Sequence, residues 1–438
     1  MCNSAGTLPS WPAVSLADLA QTVTSGATPE AGNPRYYTAD GGVPFAKIED
    51  LTRAKGRYLE LCNLRVTDVA LRETAAKLYP LGTILLSMYG TIGLAKVCAL
   101  PLAANQALCA LVPPFRCDPG YLFHHLEHIR PLWSRFSGQT TQANISGGIV
   151  RAHRVPIPPE DDQVLIRTVL DILDTTIHQT ETLIEKLKLV KHGLLHDLLN
   201  RGIDDNGELR PPLGEAPHLY KQSPLGWIPR DWACVSVRGA GTVQLGRQRS
   251  PQHERGRYLM PYLRVANVFD GLIDFSDVYE MNFNPTEQEV FSVLPGDIFL
   301  NEGQSLELVG RSALYDGPPN AYCYQNSLVR FRCGSGAIPE YLRAVFKRWL
   351  DIGKFMQVAK QTTSMAHLGA DRFAEMSIAL PSRREQELVV ERARPIEVRL
   401  STEEGVVRKL RLAKSGLMDD LLTGRVRVTP LLDAAAPA

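Results

Sequence analysis

Apolar residues recur at steps of four and three along two long stretches of the chain. One stripe holds Ile166, Leu170, Leu173, Ile177, Thr180, Ile184, Leu187, Lys191, Leu194 and Leu198; the other holds Val389, Ala393, Ile396, Leu400, Glu403, Val407, Leu410, Lys414, Leu417 and Leu421. Eight of ten positions are apolar in each, the seam pattern of a coiled coil. The pattern predicts a helix over 159–200 and a second over 382–428. PEDD at 159–162 puts acidic residues at the positive end of the first. At about 1.5 Å per residue each helix is a rod of roughly 60 Å. Pro395 lies inside the second and is expected to kink it near its start. Among the polar seam residues, Lys191 and Lys414 either fix register or lie at the seam's wet edge. A stripe this long left in water would be a large exposed apolar patch, so the two are expected to pack on each other, antiparallel.

Elsewhere the pattern shortens. Apolar and β-branched runs at 43–48, 83–87, 108–112 and 155–157 stand between Gly and Pro turns and predict strands, with short helices at 121–130 and 339–350. Two mixed α/β domains of about 150 residues follow, 1–158 and 224–381, giving an α+β chain. From 81 to 115 the only charge is Lys96, but Gly and Pro interrupt the run, which suits buried strands better than a membrane helix. Residues 201–223 are polar and rich in Pro and Gly, the composition of a linker. The tail 429–438 is expected to be disordered.

The chain is written twice. WPAVSL at 11–16 returns as WACVSV at 232–237; PFAKI at 44–48 as PYLRV at 261–265; GTILLS at 82–87 as GDIFLN at 296–301; QTT at 139–141 as QTT at 361–363. The offsets are 221, 217, 214 and 222, and from there the offset settles at 223, with Gln163 matching Gln386 and Lys191 matching Lys414. Changing offsets mark loops that gained or lost residues. The constant offset marks a continuous helix with a fixed partner.

Composition narrows the chemistry. The 438 residues carry a net charge of +1, so bulk charge names no partner, although local basic patches remain open. Basic residues outnumber acidic ones 14 to 10 in 1–158, while 159–223 holds 7 against 12. Arg247, Arg249, Arg255, Arg257 and Arg264 cluster with Tyr258 and Tyr262; they form either a solvated loop face or a surface for phosphate and guanine edges. There is no phosphate loop, dinucleotide fingerprint, nucleophile elbow or helical metal-ligand spacing. His124 and His128 share a helix face but lack a third ligand. None of the eight cysteines makes a C-x-x-C pair, as in free thiols of a reducing cytoplasm. The N-terminus lacks the basic and apolar regions of a secretory signal.

The ordered motifs WxxVSL, VPFAKI, GTILLSMYGTIG, ANQAL, QTTQANIS and VPIPPEDDQ, followed by a long helix and all given twice, resemble the DNA-specificity subunit of type I restriction–modification enzymes. GWIPRDW at 226–232 looks like that family's entry to its second recognition domain. The resemblance implies a non-catalytic cytoplasmic subunit with two target-recognition domains reading a bipartite, asymmetric site in double-stranded DNA. It implies that the helices act as ruler and scaffold, docking two methyltransferase subunits, and that restriction subunits join them. S-adenosylmethionine, ATP and magnesium then belong to those partners and no cofactor to this chain. Candidate DNA contacts are Lys47 and Arg264, matched across the repeats; Gln139, Thr140, Gln361 and Thr362; and Tyr89, Lys96, Arg247 and Arg249 in candidate loops. The rivals are a stand-alone DNA-binding module with no role in methylation and a duplicated protein–protein scaffold.

Overall fold

The computed structural model describes residues 11–136, 144–362 and 365–428; the predicted disordered tail lies outside them. Two long helices run Glu160–Asn200 and Arg383–Leu421. The second continues through Pro395 as one helix. Proline removes the bond to the carbonyl of Glu391, and both residues are solvent-exposed, so water can take the donor's place. The chain divides into two compact units, 1–184 with 403–438, and 185–402. Each therefore contains one globular domain and a stretch of both helices.

In the first unit a five-stranded sheet runs in the order Ala20–Ser25, Leu108–Phe115, Ile84–Ser87, Ala95–Cys98, Tyr58–Leu59. A second has the order Tyr37–Thr38, Leu64–Val66, Val43–Ala46, Leu102–Ala104, Leu78–Tyr79. The 81–115 stretch thus lies in buried strands, and among the described residues no helix is long and apolar enough to cross a membrane. The core joins Leu16, Ile84, Leu111, Leu122 and Val155 to Ile166 and Leu170 of the first helix and Met418 and Leu421 of the second. The helices meet antiparallel. Asp174 pairs with Lys414 and Glu181 with Arg411, so numbers rise on one helix as they fall on the other.

The second unit has a four-stranded sheet, Gly241–Leu245, Leu328–Cys333, Ile298–Asn301, Ser312–Leu314, and a three-stranded sheet, Tyr279–Asn282, Leu259–Leu263, Cys323–Tyr324. Its core gathers Leu300, Phe331, Phe346 and Phe373 with Leu195 and Leu198 of the first helix and Val389 and Ala393 of the second. Here Lys191 pairs with Glu397 at 2.8 Å. Lys191 and Lys414 are thus edge residues of the seam that hold a carboxylate on the facing helix. Every predicted apolar scaffold position is buried or half-buried in its own unit.

The repeat is visible bond by bond within the units. Leu16 N–H donates to His153 O at 2.9 Å, and Val237 N–H to Met376 O at 2.8 Å. Gln163 accepts from Asp118 N–H at 2.7 Å and donates to Pro158 O at 2.9 Å. Gln386 accepts from Ile338 N–H at 2.8 Å and donates to Pro381 O at 3.0 Å and Gly336 O at 2.9 Å. Both amides are buried, so each long helix starts locked to its own globular domain.

Residues 201–223 are more than a bare linker. Ile203 N–H donates to Glu385 at 2.8 Å, Trp232 Nε1 donates to it at 3.0 Å, and Arg210 engages both of its carboxylate oxygens. Arg210 and Glu385 are buried. Tyr220–Ser223 pairs with Gly226–Pro229 as a hairpin. A polar composition hid a segment clamped by one long-range charge pair.

Gln386→Leu leaves a donor and two acceptors buried without partners, at about 1 kcal/mol or more each. It should lower the unfolding free energy by roughly 3 kcal/mol in urea titration, whereas Arg384→Gln on the exposed face of the same turn should change it little. A second prediction concerns acid. His125 Nε2 and His153 Nε2 lie 3.2 Å apart, so one ring donates and the other, accepting, is neutral. Burial, then His153 and His128, pushes His125 down to about 3. The unfolded chain takes up a proton near pH 6.5 that the folded chain refuses. Stability from this pair is complete above about pH 6.5 and is lost as pH falls toward 3. The melting temperature should drop between pH 7.5 and 5.5 in the native chain and less so in His125→Phe.

Candidate nucleic-acid interface

One end of each globular domain is assembled around a short turn. In the first unit the turn is ANQAL, 104–108. Asn105 N–H donates to Ala46 O at 3.1 Å, Ala27 N–H to Ala104 O at 3.0 Å, and Met88 N–H to Ala107 O at 2.9 Å. Ile145 N–H then donates to Met88 O at 3.1 Å, and Tyr89 bridges to Asn144. Lys47, beside Ala46, precedes the helix Ile48–Arg53, and its backbone N–H donates to Asp50 at 2.9 Å. Lys47 and Tyr89 are thereby brought to the same end.

The second unit repeats this around YQNSL, 324–328. Gln325 N–H donates to Leu263 O at 2.9 Å, Arg247 N–H to Tyr324 O at 3.1 Å, and Glu302 N–H to Ser327 O at 2.9 Å. Leu368 N–H donates to Glu302 O at 2.8 Å. Arg264 occupies the position of Lys47, its N–H donating to Asn267 at 3.0 Å. The strand Lys360–Gln361 pairs with Ala366–His367, which pairs in turn with Gly303–Gln304. Lys360, Gln361 and Thr362 are exposed at this end. Gln139 and Thr140 lie outside the described residues.

The candidate cations separate into two kinds. Lys96 is buried, and its ammonium donates to the carbonyls of Ala54 (2.9 Å) and Gly56; burial also lowers its pKa. It has nothing to offer a phosphate and leaves the candidate set. Arg247 is 10% exposed, pairs with Glu287 at 2.7 Å, and packs over Phe283 at 5.1 Å. Arg264 is 18% exposed, pairs with Asp277, and covers Tyr279 at 4.1 Å. These two arginines are already neutralised and brace the surface rather than present it. Arg249 is exposed but shares its charge with Glu254 at 2.9 Å. Arg255 and Arg257 are exposed with no carboxylate partner among the described residues, and Arg257 lies 5.7 Å from the ring of Tyr258. Solvent-accessible arginine beside an exposed aromatic is suited to nucleic-acid backbone and bases.

Among the described residues no group of three metal-ligating side chains converges. His124 Nε2–H donates to Asp171 at 2.7 Å, a tie between globular domain and helix. The described cysteines are free, and burial pushes the Cys98 and Cys109 thiols up to about 12, which suppresses the thiolate. The turns 104–108 and 324–328, which organise the interface, were visible in the sequence only as a repeated N/Q pair between apolar strands.

A family model described as the type I restriction modification DNA specificity domain matches residues 10–189. The type I restriction enzyme MjaIX specificity subunit of Methanocaldococcus jannaschii is 24% identical over 68% of this chain and 67% of its own length. The EcoKI specificity subunit of Escherichia coli is 21% identical over 97% of this chain and 90% of its own. Among solved structures, a type I restriction-modification S subunit from M. genitalium aligns with a TM-score of 0.55 at 14% identity, covering 96% of this chain and 98% of that one. A chain solved in work on complex assembly and conformational transition of the type I system aligns with a TM-score of 0.56 at 14% identity, covering 96% and 99%.

If the exposed arginines contact phosphate, Arg255→Ala and Arg257→Ala should each weaken duplex binding at all sequences. Each should also flatten the dependence of log K on log salt by about 0.9 per lost contact. Fluorescence anisotropy across 50–200 mM salt checks this, and Arg247→Ala should act differently, through lowered thermal stability.

Proposed function

Since the chain belongs to the family of type I restriction–modification DNA-specificity subunits, we propose that its two globular units read the two unlike halves of a split DNA site and that its long helices dock two methyltransferase subunits. As a specificity subunit it is the non-catalytic component of a complex that binds DNA. S-adenosylmethionine, ATP and magnesium reside on the modification and restriction subunits. Membership in this family displaces both a stand-alone DNA-binding module and a scaffold that touches no nucleic acid.

The observation that carries the split-site reading is a common frame with unlike surfaces. The two units share their turn-centred hydrogen bonds, yet Lys47 stands where Arg264 does, and no counterpart of the exposed Arg255 and Arg257 faces out of residues 27–41, where the cation Arg35 is paired with Glu73. Equal frames presenting unequal side chains favour half-sites of unequal sequence. Restriction subunits then join through the methyltransferases, and the complex works on DNA in the cytoplasm, an environment that suits buried free thiols.

The two-partner reading rests on a different feature. Leu189 is 74% exposed and Leu412 is 73% exposed, and the two are 223 positions apart. Each stands in a basic stretch, 186–191 (KLKLVK) and 409–414 (KLRLAK). Neither is needed for the core of its own unit. A large exposed leucine kept at the same place in both copies fits an anchor for the same partner bound twice, with an apolar pocket rimmed by acidic residues.

Coexpression with the neighbouring methyltransferase, followed by genome-wide mapping of methylated bases, should return a split motif with two unlike halves. A contiguous or palindromic motif would overturn the split-site reading. Leu189→Asp and Leu412→Asp should each remove one methyltransferase copy from the purified complex, and together both, by mass measurement in solution. Full stoichiometry in the double variant would sink the docking assignment.

A further inference from the structure

Two loops, one in each unit, are closed by the same frame and filled differently. The first leaves the strand Ile84–Ser87 and closes with Gly93 N–H on Ser87 O at 2.9 Å and Leu94 N–H on Thr91 O at 3.1 Å. The second leaves Ile298–Asn301 and closes with Gly310 N–H on Asn301 O at 3.0 Å and Arg311 N–H on Leu308 O at 3.0 Å. Both closing glycines are left-handed, with φ of 78° and 79°. Each also lies against a buried aromatic: a Cβ at Gly93 would sit 2.3 Å from Trp133, and one at Gly310 would sit 2.4 Å from Phe355. Only glycine fits either place. The start of each loop is held by the interface turn, through Ala107 or Ser327, and by the segment that follows it in space, through Ile145 or Leu368.

Inside this frame the residues differ, apart from the apolar residue before each closing glycine, Ile92 and Val309, and the bridges of Tyr89 to Asn144 and Gly303 to His367. Residues 88–92 are MYGTI and residues 302–309 are EGQSLELV, and the offset between the copies passes from 214 to 217 across the loop. The shared frame does not dictate that difference. The first loop presents Tyr89, 40% exposed; the second presents Ser305, Glu307 and Leu308. Glu307 has no cationic partner among the described residues. Near DNA phosphates an unpaired carboxylate is repelled unless it accepts hydrogen bonds from a base, and the cytosine amino group is the base donor that selects for a carboxylate in the major groove. By contrast, the QTT segments at 139–141 and 361–363 are common to both copies. Shared residues cannot distinguish two half-sites, which leaves them the sequence-independent contacts.

We infer that loops 88–92 and 302–309 are the specificity-determining elements of the two halves, with Tyr89 and Glu307 contacting base edges and Glu307 accepting from a base amino group. The inference rests on the reading of the units as readers of DNA half-sites.

The test uses the full chain in complex with its methyltransferase, carrying Tyr89→Ala or Glu307→Gln, with methylated motifs mapped genome-wide. Binding of purified complexes is also measured to duplexes substituted one base pair at a time. Each variant should alter preference in one half of the motif only, with at least about tenfold loss of discrimination at a position in that half, and leave the other half unchanged. Wild-type preference at every position in both variants would overturn the inference. So would a uniform loss across both halves, the signature of a framing role. Absence of any split motif from the wild-type complex would count instead against the half-site reading.

Discussion

A single buried glutamine fixes each globular domain to the start of its long helix. Gln163 and Gln386 each use the carbonyl and the amino group of one side-chain amide, bonding the first turn of a short domain helix and the chain entering the rod. In a dry interior such bonds are costly to leave half-made, so domain and helix have one mutual orientation rather than a range of them. Everything the interface presents is referred to that joint. The strands hang from the domain core, the core includes residues of both helices, and the loops are pinned to the strands by backbone bonds. A recognition surface mounted this way loses little entropy on meeting its target.

The same economy explains why the charge of the basic cluster says less than its arrangement. Five arginines within eighteen residues looked like one patch. Folding sorts them by partner: Arg247 and Arg264 sit over Phe283 and Tyr279 with carboxylates in reach, Arg249 shares with Glu254, and Arg255 and Arg257 stay open. The braced arginines hold a surface rich in aromatic rings in place, while the open ones are left with full charge. Guanidinium suits both roles, since its flat face stacks and its edge donates.

What the sequence disclosed and what it hid divide along the range of the interactions concerned. The long helices were legible because their apolar period is local and repeated, and the strands because Gly and Pro punctuate them. The duplication was legible as letters, and its changing offsets already pointed to loops. Lys96 looks like a loop cation in the sequence, but a lone lysine among apolar residues signals burial with carbonyl partners. The clamp on 201–223 is not legible locally because its partner, Glu385, lies 182 residues from Ile203. ANQAL is legible as a motif but not as an organising turn, because an N/Q pair carries no special chemistry until the fold brings four segments to it. Lys47 and Arg264 did carry a local clue: Asp50 and Asn267 stand three residues on, the spacing of a helix start whose backbone is capped by the third residue.

Duplication gives this design its logic. A second copy of a domain brings a second set of frame constraints free of new invention, and the frame is where most mutations would destabilise. Divergence is then confined to positions the frame does not see. The two loops with glycine hinges against Trp133 and Phe355 are such positions: their ends are fixed by sterics and hydrogen bonds, and their lengths, five residues and eight, are not. The helices bear the opposite constraint. Their offset is constant because each helix packs against the other, and the ion pairs Lys414 with Asp174 and Lys191 with Glu397 are one interaction made twice. One chain thus carries a part held to a constant offset, the helices, and a part free to vary in length, the loops. Neither need compromise the other, because the buried amides and left-handed glycines between them absorb the boundary.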